Sequence, residues 1–255
     1  LVQRWLTVMG ERFNLSGALA TLPAGIPSVM AGRMPAGAPV GGGAGLETSN
    51  PLVALGAWAL LTVVGLGLGA FYQIGIARQL APQGEVSTGL VAWSRLLALV
   101  AFLYAALFLA TMATALVTSI ATLILPLLGV GLLFVAFSLV FWMAVYLAFA
   151  PHGIIRYRFG VAQAIQESAR VVRWNLPSAV GFVGMVLGLS YLAGWVWSLP
   201  ADGSWFTLLA VLGHGFVSAT ILAASYAFYQ GRRDWLMALR QSLPVKPPES
   251  KAPRA

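Results

Sequence analysis

Two histidines and a small set of arginines are the side chains in this 255-residue chain best suited to chemistry. His214 stands between Gly213 and Gly215 inside a long apolar run. An ionisable group at that depth in lipid marks a proton or ligand function by default, although a neutral imidazole also serves as a hydrogen-bonding pin between helices. No Asp, Glu, Lys or Arg is expected at the same depth, so we read His214 first as a packing residue and second as an intramembrane polar site. His152, Arg156 and Arg158 cluster where another apolar run ends, a grouping able to receive the phosphate of a lipid or of another anionic ligand. Arginines directly after a span also hold that end in the cytoplasm and need do nothing more, and this simpler reading is preferred. With Arg170 and Arg173 further along, the candidate anionic-lipid contacts are Arg156, Arg158, Arg170 and Arg173.

The remaining residue types exclude more than they suggest. The seven acids, Glu11, Glu47, Glu85, Glu167, Asp202, Asp234 and Glu249, make no close pair inside an expected span, so paired-carboxylate catalysis has no basis. Neither a Gly-x-Ser-x-Gly elbow nor a Gly-x-x-x-x-Gly-Lys phosphate loop occurs. A chain without cysteine has no disulfide, thiolate metal site or thiol nucleophile, and two histidines do not fill a metal site. We therefore expect no catalytic residue, no metal and no cofactor. The net charge of +8 sits beside apolar runs and not on a soluble basic domain, so nucleic acid is not an expected partner.

Membrane-crossing helices must position these residues. The chain is 59% hydrophobic and only 9% charged, a balance far from that of soluble domains. Its longest uncharged run, Leu96 to Pro151, exceeds twice the roughly 20 residues that one helix needs to cross hydrocarbon, and reads as two spans. The runs are apolar on every side, unlike the alternating strands of a barrel. The expected fold class is all-α: a polytopic transmembrane helix bundle with cytoplasmic amphipathic interfacial helices. Spans are expected near Leu52–Tyr72, Leu96–Thr118, Leu127–Phe149, Ser178–Trp197 and Phe206–Tyr229, with Pro126 and Gly129 marking the central turn.

Charge orients that bundle. Arg78 and Arg95, then Arg156, Arg158, Arg170 and Arg173, then Arg232, Arg233, Arg240, Lys246, Lys251 and Arg254 fall in alternate segments, against Arg4, Arg12 and Arg33 on the other side. The positive-inside rule places the C-terminus on the cytoplasmic side. Residues 1–50 are then an extracytoplasmic, partly irregular segment, 51–235 the bundle and 236–255 a flexible basic tail. Tyr72, Trp93, Tyr157, Trp174, Tyr229 and Trp235 suit the inner boundary and Trp195, Trp197 and Trp205 the outer one, with core packing as the alternative for some of them. Gly65 with Gly69, Gly184 with Gly188, and Gly215 with Ala219 and Ala223 permit close helix approach, within one chain or between chains.

The segment after the third span is amphipathic. Val161, Ala164, Ile165, Ser168 and Val172 share one helical face, and Gln163, Gln166, Glu167, Arg170 and Arg173 the other, until Asn175 and Pro177 break the helix. The apolar face suits the headgroup boundary and the arginines suit anionic lipid. Shorter versions recur from Ser87 to Arg95 and from Arg232 to Arg240. The run Phe159-Gly-Val-Ala-Gln-Ala-Ile-Gln-Glu-Ser-Ala-Arg-Val-Val-Arg-Trp-Asn175 before a span, and Ala223 to Tyr229 followed by Arg232 and Arg233, resemble the membrane domain of glycerophosphodiester phosphodiesterases and related bacterial six-helix membrane proteins of stress-response or unknown role. The resemblance implies six spans, the first before Leu1, and carries no catalytic residue, because the phosphodiesterase domain has no counterpart here.

The leading expectation is a non-catalytic multi-pass membrane protein organising lipid or partner proteins, with anionic phospholipid at its cytoplasmic face and a membrane-protein partner or a second copy as further contacts. A permease or transporter subunit that uses His214 or the Arg156 region is the alternative. A lipid-modifying enzyme is a weaker third.

Overall fold

Prolines and uncapped helix ends divide this chain more sharply than hydropathy does. The computed structural model describes residues 15–21, 24–25, 50–80, 86–201 and 204–242. Most of the expected extracytoplasmic segment, Asp202 and the tail beyond Ser242 lie outside the described residues. Seven α-helices and no strand occur among the described residues: α1 (Pro51–Leu80), α2 (Gly89–Ile124), α3 (Pro126–Leu147), α4 (Ala150–Tyr157), α5 (Val161–Trp174), α6 (Leu176–Trp197) and α7 (Phe206–Ser242). The all-α expectation holds, and five segments are long and apolar enough to cross a membrane. At about 1.5 Å per residue, the 22 residues of α6 extend about 33 Å and the 37 of α7 about 55 Å. The shorter of these matches a hydrocarbon layer of about 30 Å, and α7 exceeds it by several turns.

Breaks fall where the sequence forces them. Leu125 is extended (φ −152°, ψ 115°) because the following Pro126 disfavours helix at the preceding residue, and the chain reverses there into α3. A second proline, Pro151, opens α4. Gly160, extended, precedes α5, and the single residue Asn175 separates α5 from α6, whose first turn holds Pro177. The Asn175 side-chain amide donates to the Val171 carbonyl at 3.1 Å, so the residue that ends α5 also satisfies one of its last acceptors.

Two of the expected surface segments are not separate helices. Residues from Gly89 onward belong to α2, and Arg232 to Arg240 continue α7 without a break, because nothing in either stretch interrupts the backbone ladder. The expected boundary at 235 thus falls inside α7, where Leu236 is buried.

Packing is concentrated at one end. Leu66, Ala70, Ile74 and Ala77 of α1 meet Ala92, Leu96, Leu99 and Val100 of α2, Ile154 and Ile155 of α4, Ala164 of α5 and Tyr226 of α7. A second cluster joins Val145, Phe149, Val171, Val172, Ala179 and Tyr229. The far halves of the helices are exposed, as at Phe102, Phe108, Leu116, Phe134, Phe137, Tyr191 and Phe216. All nine arginines of the described residues sit at or near the packed end, with only Glu167 and Asp234 as described carboxylates.

The small residues divide by use. Gly65 and Gly69 lie against the backbone of Leu19 and Ala24, where the 3-10 helix Leu15–Ala20 and its following turn cross α1 with no room for a Cβ. Gly184, Gly188 and Gly215 have nothing within contact distance. The aromatic residues divide too: Trp174, Trp195, Trp205 and Trp235 are exposed, whereas Tyr229 is fully buried and belongs to the core.

One hydroxyl holds the joint between α3 and α4. Ser168 of α5 donates to the Tyr146 carbonyl at 2.7 Å and accepts from the Phe149 amide at 3.2 Å. Ser168→Ala leaves both groups buried without that partner, and the expected loss is about 1–3 kcal/mol, read as a lowered thermal midpoint of tryptophan fluorescence in maltoside. Exposed Ser94→Ala is the comparison, with an expected change within about 0.5 kcal/mol.

Candidate functional site

Helix α4 builds the site, because it is short, polar in part and enclosed. Every residue from Ala150 to Arg156 is buried, including His152 at 6% exposure and Arg156 at 4%. It is packed by α1, α2 and α5, with side chains of α7 closing over it. Its exit is unusual: Arg158 adopts the left-handed conformation (φ 56°), which a non-glycine residue holds only where its surroundings impose it. The surroundings here are two guanidinium clamps. Arg158 donates through Nε (3.2 Å) and Nη2 (3.0 Å) to the Val86 carbonyl, and Arg95 donates to the carbonyls of Arg158 and, at 3.3 Å, Phe159. The Ser87 amide donates to the Ile155 carbonyl at 2.8 Å and completes the tie between the start of α2 and α4.

Inside this tie lies a polar chain across three helices. His152 Nε2 and Ser225 Oγ of α7 share a hydrogen bond of 2.7 Å, and the imidazole lies 4.4 Å from the Tyr226 ring. The Tyr226 hydroxyl donates to Gln73 Oε1 of α1 at 3.3 Å. Gly153 permits the close approach: a Cβ there would stand 3.1 Å from Phe159 Cδ2 and 3.2 Å from the Tyr229 hydroxyl. Phe149, Phe182, Phe228 and Tyr229 stack beside it, with Phe182 and Phe228 4.4 Å apart and nearly parallel. His152 Nδ1 and the Tyr229 hydroxyl are buried with no hydrogen-bond partner.

Toward the outside of the same end, cations lie on aromatic faces. The Arg233 guanidinium is 4.1 Å from the Tyr157 ring centroid and 5.5 Å from that of Phe159, and Arg156 lies 5.2 Å from the Tyr157 centroid.

The expected site residues separate in this arrangement. Arg156 lies inside the protein, and Arg158 is engaged with backbone. Arg170 pairs with Glu167 along α5, as their spacing of three suggests, and Arg173 is exposed. His214 is in the other half of α7, eleven residues or about 16 Å along the helix from Ser225, and its half-buried ring has no partner on Nδ1. It does not join His152 or the arginines. The apolar face of α5, expected at the headgroup boundary, is covered by protein: Ala164, Ser168 and Val172 are buried, and Val161 and Ile165 pack on the core. Only its Gln163, Gln166 and Arg173 side stands exposed.

Ser225, Tyr226 and Gln73 are partners that the sequence reading missed. Their signal was present in the polar residues at 225, 226 and 229 spaced along one side of an otherwise apolar helix, and in a lone Gln within α1. No group of three or more His, Asp or Glu able to hold a metal occurs among the described residues. Compared with known proteins, the chain matches no family model, no curated protein and no solved structure.

Removing the Ser225 hydroxyl isolates the buried imidazole. Ser225→Ala is expected to cost about 1–3 kcal/mol. Ser225→Ala combined with His152→Phe should cost measurably less than the sum of the single variants, with a coupling of about 0.5–3 kcal/mol in thermal or denaturant unfolding.

Proposed function

We propose that this chain is a non-catalytic integral membrane protein of a bacterial cytoplasmic membrane, which gathers anionic lipid headgroups around a rigid, arginine-bearing cytoplasmic end. One observation carries the reading. The apolar face of α5 is used up by the bundle, so the helix presents Arg170, Arg173, Gln163 and Gln166 outward from an end that bears, among the described residues, nine arginines against two carboxylates. Such an excess beside long apolar helices fits positive-inside insertion. It also fits attraction of anionic lipid, at about 1 kcal/mol for each basic residue near the surface. The long exposed apolar faces of α2, α3 and α6 fit lipid or the helices of a partner protein.

The resemblance to the membrane domain of glycerophosphodiester phosphodiesterases supports the same topology and rests on the residues from Phe159 to Asn175 and from Ala223 to Arg233. A scaffold of this kind needs no reacting group, and the enclosed His152 is better suited to locking α4 to α7 than to turning over a substrate.

The test is lipid selectivity in neutral maltoside micelles. Phosphatidylglycerol is expected to raise the unfolding midpoint more than phosphatidylcholine does. The Arg170→Gln/Arg173→Gln variant should lose most of that difference, and 0.5 M salt should weaken it, because exposed charges are screened. Equal response to the two lipids would contradict the proposal.

A further inference from the structure

The 3-10 helix Leu15–Ala20 and the turn that follows it stand where a membrane protein has little room for irregular backbone. Both lie against α1 at Gly65 and Gly69, which are about 21 and 27 Å along that helix from Pro51. A Cβ on Gly65 would meet the Leu19 backbone at 2.5–2.8 Å, and one on Gly69 would overlap the Ala24 carbonyl oxygen. The 30 residues of α1 extend about 45 Å, roughly 15 Å more than a hydrocarbon layer of about 30 Å. For a helix near the membrane normal, Gly69 lies about 12 Å inside that layer if all of the surplus stands beyond Pro51, and about 27 Å inside if none does. At either extreme the turn is within hydrocarbon.

Three properties of the segment suit that depth. No charged residue occurs between Arg12 and Arg33. Ala18, Thr21 and Ala24 are buried, and Ala24 belongs to the same apolar cluster as Leu66 and Ala70 of α1. The Thr21 hydroxyl donates back to the Ala18 carbonyl, and the Thr21 carbonyl accepts from the amides of Ala24 (3.2 Å) and Gly25 (2.6 Å), so the turn answers these polar groups without water. Direction follows from the contacts. Leu19 sits at Gly65 and Ala24 at Gly69, so the chain runs the way α1 does, away from Pro51. The same chain must come back to Pro51 to begin α1, and residues 26–50 are enough chain for about 80 Å against the roughly 27 Å needed.

We infer that Leu15–Gly25 is a re-entrant segment: it dips into the membrane from the Pro51 side, seats its backbone in the notch of Gly65 and Gly69, and returns to the side it came from. Seated there, it occupies the close-approach face of α1 and leaves no room for a helix of a partner or of a second copy. The depth rests on α1 crossing the membrane. Only the side of entry, the outer one, rests on the reading of the arginine-bearing end as cytoplasmic.

The experiment uses the full chain in intact cells, with a single thiol at Ala20, which is partly exposed and so has space for a sulfur. A maleimide reacts with the thiolate, which forms in water and not in hydrocarbon. Ala20→Cys is expected to resist an impermeant maleimide before and after permeabilisation and to react once the protein is unfolded in dodecyl sulfate, whereas Ala201→Cys reacts from outside throughout. Adding Gly69→Leu, whose side chain overlaps the Ala24 backbone, is expected to release the segment and bring labelling of Ala20→Cys from the same side as Ala201→Cys. Gly188→Leu, at a glycine with nothing in contact, is the control and is expected to leave Ala20→Cys protected. Should Gly69→Leu not fold, Gly69→Ala decides. Labelling of Ala20→Cys in the otherwise native chain or with Gly188→Leu, protection that persists in the deciding variant, or release to the side opposite Ala201→Cys overturns the inference. Labelling of Ala201→Cys and the released Ala20→Cys only after permeabilisation supports the re-entrant segment while overturning the orientation in the proposed function.

Discussion

A helix that ends in apolar surroundings leaves backbone donors and acceptors with nowhere to go, and this constraint shapes the whole packed end of the protein. Three consecutive joints occur there, and each is closed by a side chain from another segment or from the joint itself. Ser168 reaches from α5 to close the break between α3 and α4. Arg95 and Arg158 close the break between α4 and α5. Asn175 closes the one between α5 and α6. The short α4 can turn back beneath the bundle only because its ends are satisfied in this way, and once there it brings His152 to Ser225 and Gly153 to Tyr229.

From this follows a division along the length of the molecule. At the arginine-bearing end, two apolar clusters, a hydrogen-bonded chain from Gln73 through Tyr226 and a stack of aromatic rings between them tie all seven helices together. Toward the other end the helices carry large exposed apolar side chains. In lipid such surfaces need no protein partner, because hydrocarbon chains solvate them as well as leucine does. Fixed geometry therefore belongs to the packed end, and adaptable contact with lipid or other helices suits the exposed apolar surfaces of the other.

Much of this was legible in the sequence. The five long helices follow from uninterrupted apolar runs, the hairpin between α2 and α3 from Pro126, and the end of α5 from Asn175 with Pro177. The covering of the α5 apolar face was not legible, since a period of 3.6 states that a face is sheltered and not whether lipid or protein shelters it. Nor was the burial of Arg156, for an arginine just after a span normally faces water; it is enclosed here because α4 turns inward, where Ser168 of the following helix holds the Phe149 amide at its start. Arg233 read as one more topogenic charge, because its relation to Tyr157 exists only after α7 has packed on α4.

The central claim is that the chain crosses a membrane with all of its arginine-clamped joints on one side. Because these 255 residues contain no cysteine, single thiols introduced in them report sidedness without background from the rest of this chain. Thr88→Cys, Gln163→Cys and Gln241→Cys lie at the packed end, and Leu125→Cys and Ala201→Cys at the other. With an impermeant maleimide applied to intact bacterial cells, the account requires labelling at 125 and 201, and at 88, 163 and 241 only after the membrane is permeabilised. Labelling of both groups from the same side would contradict it.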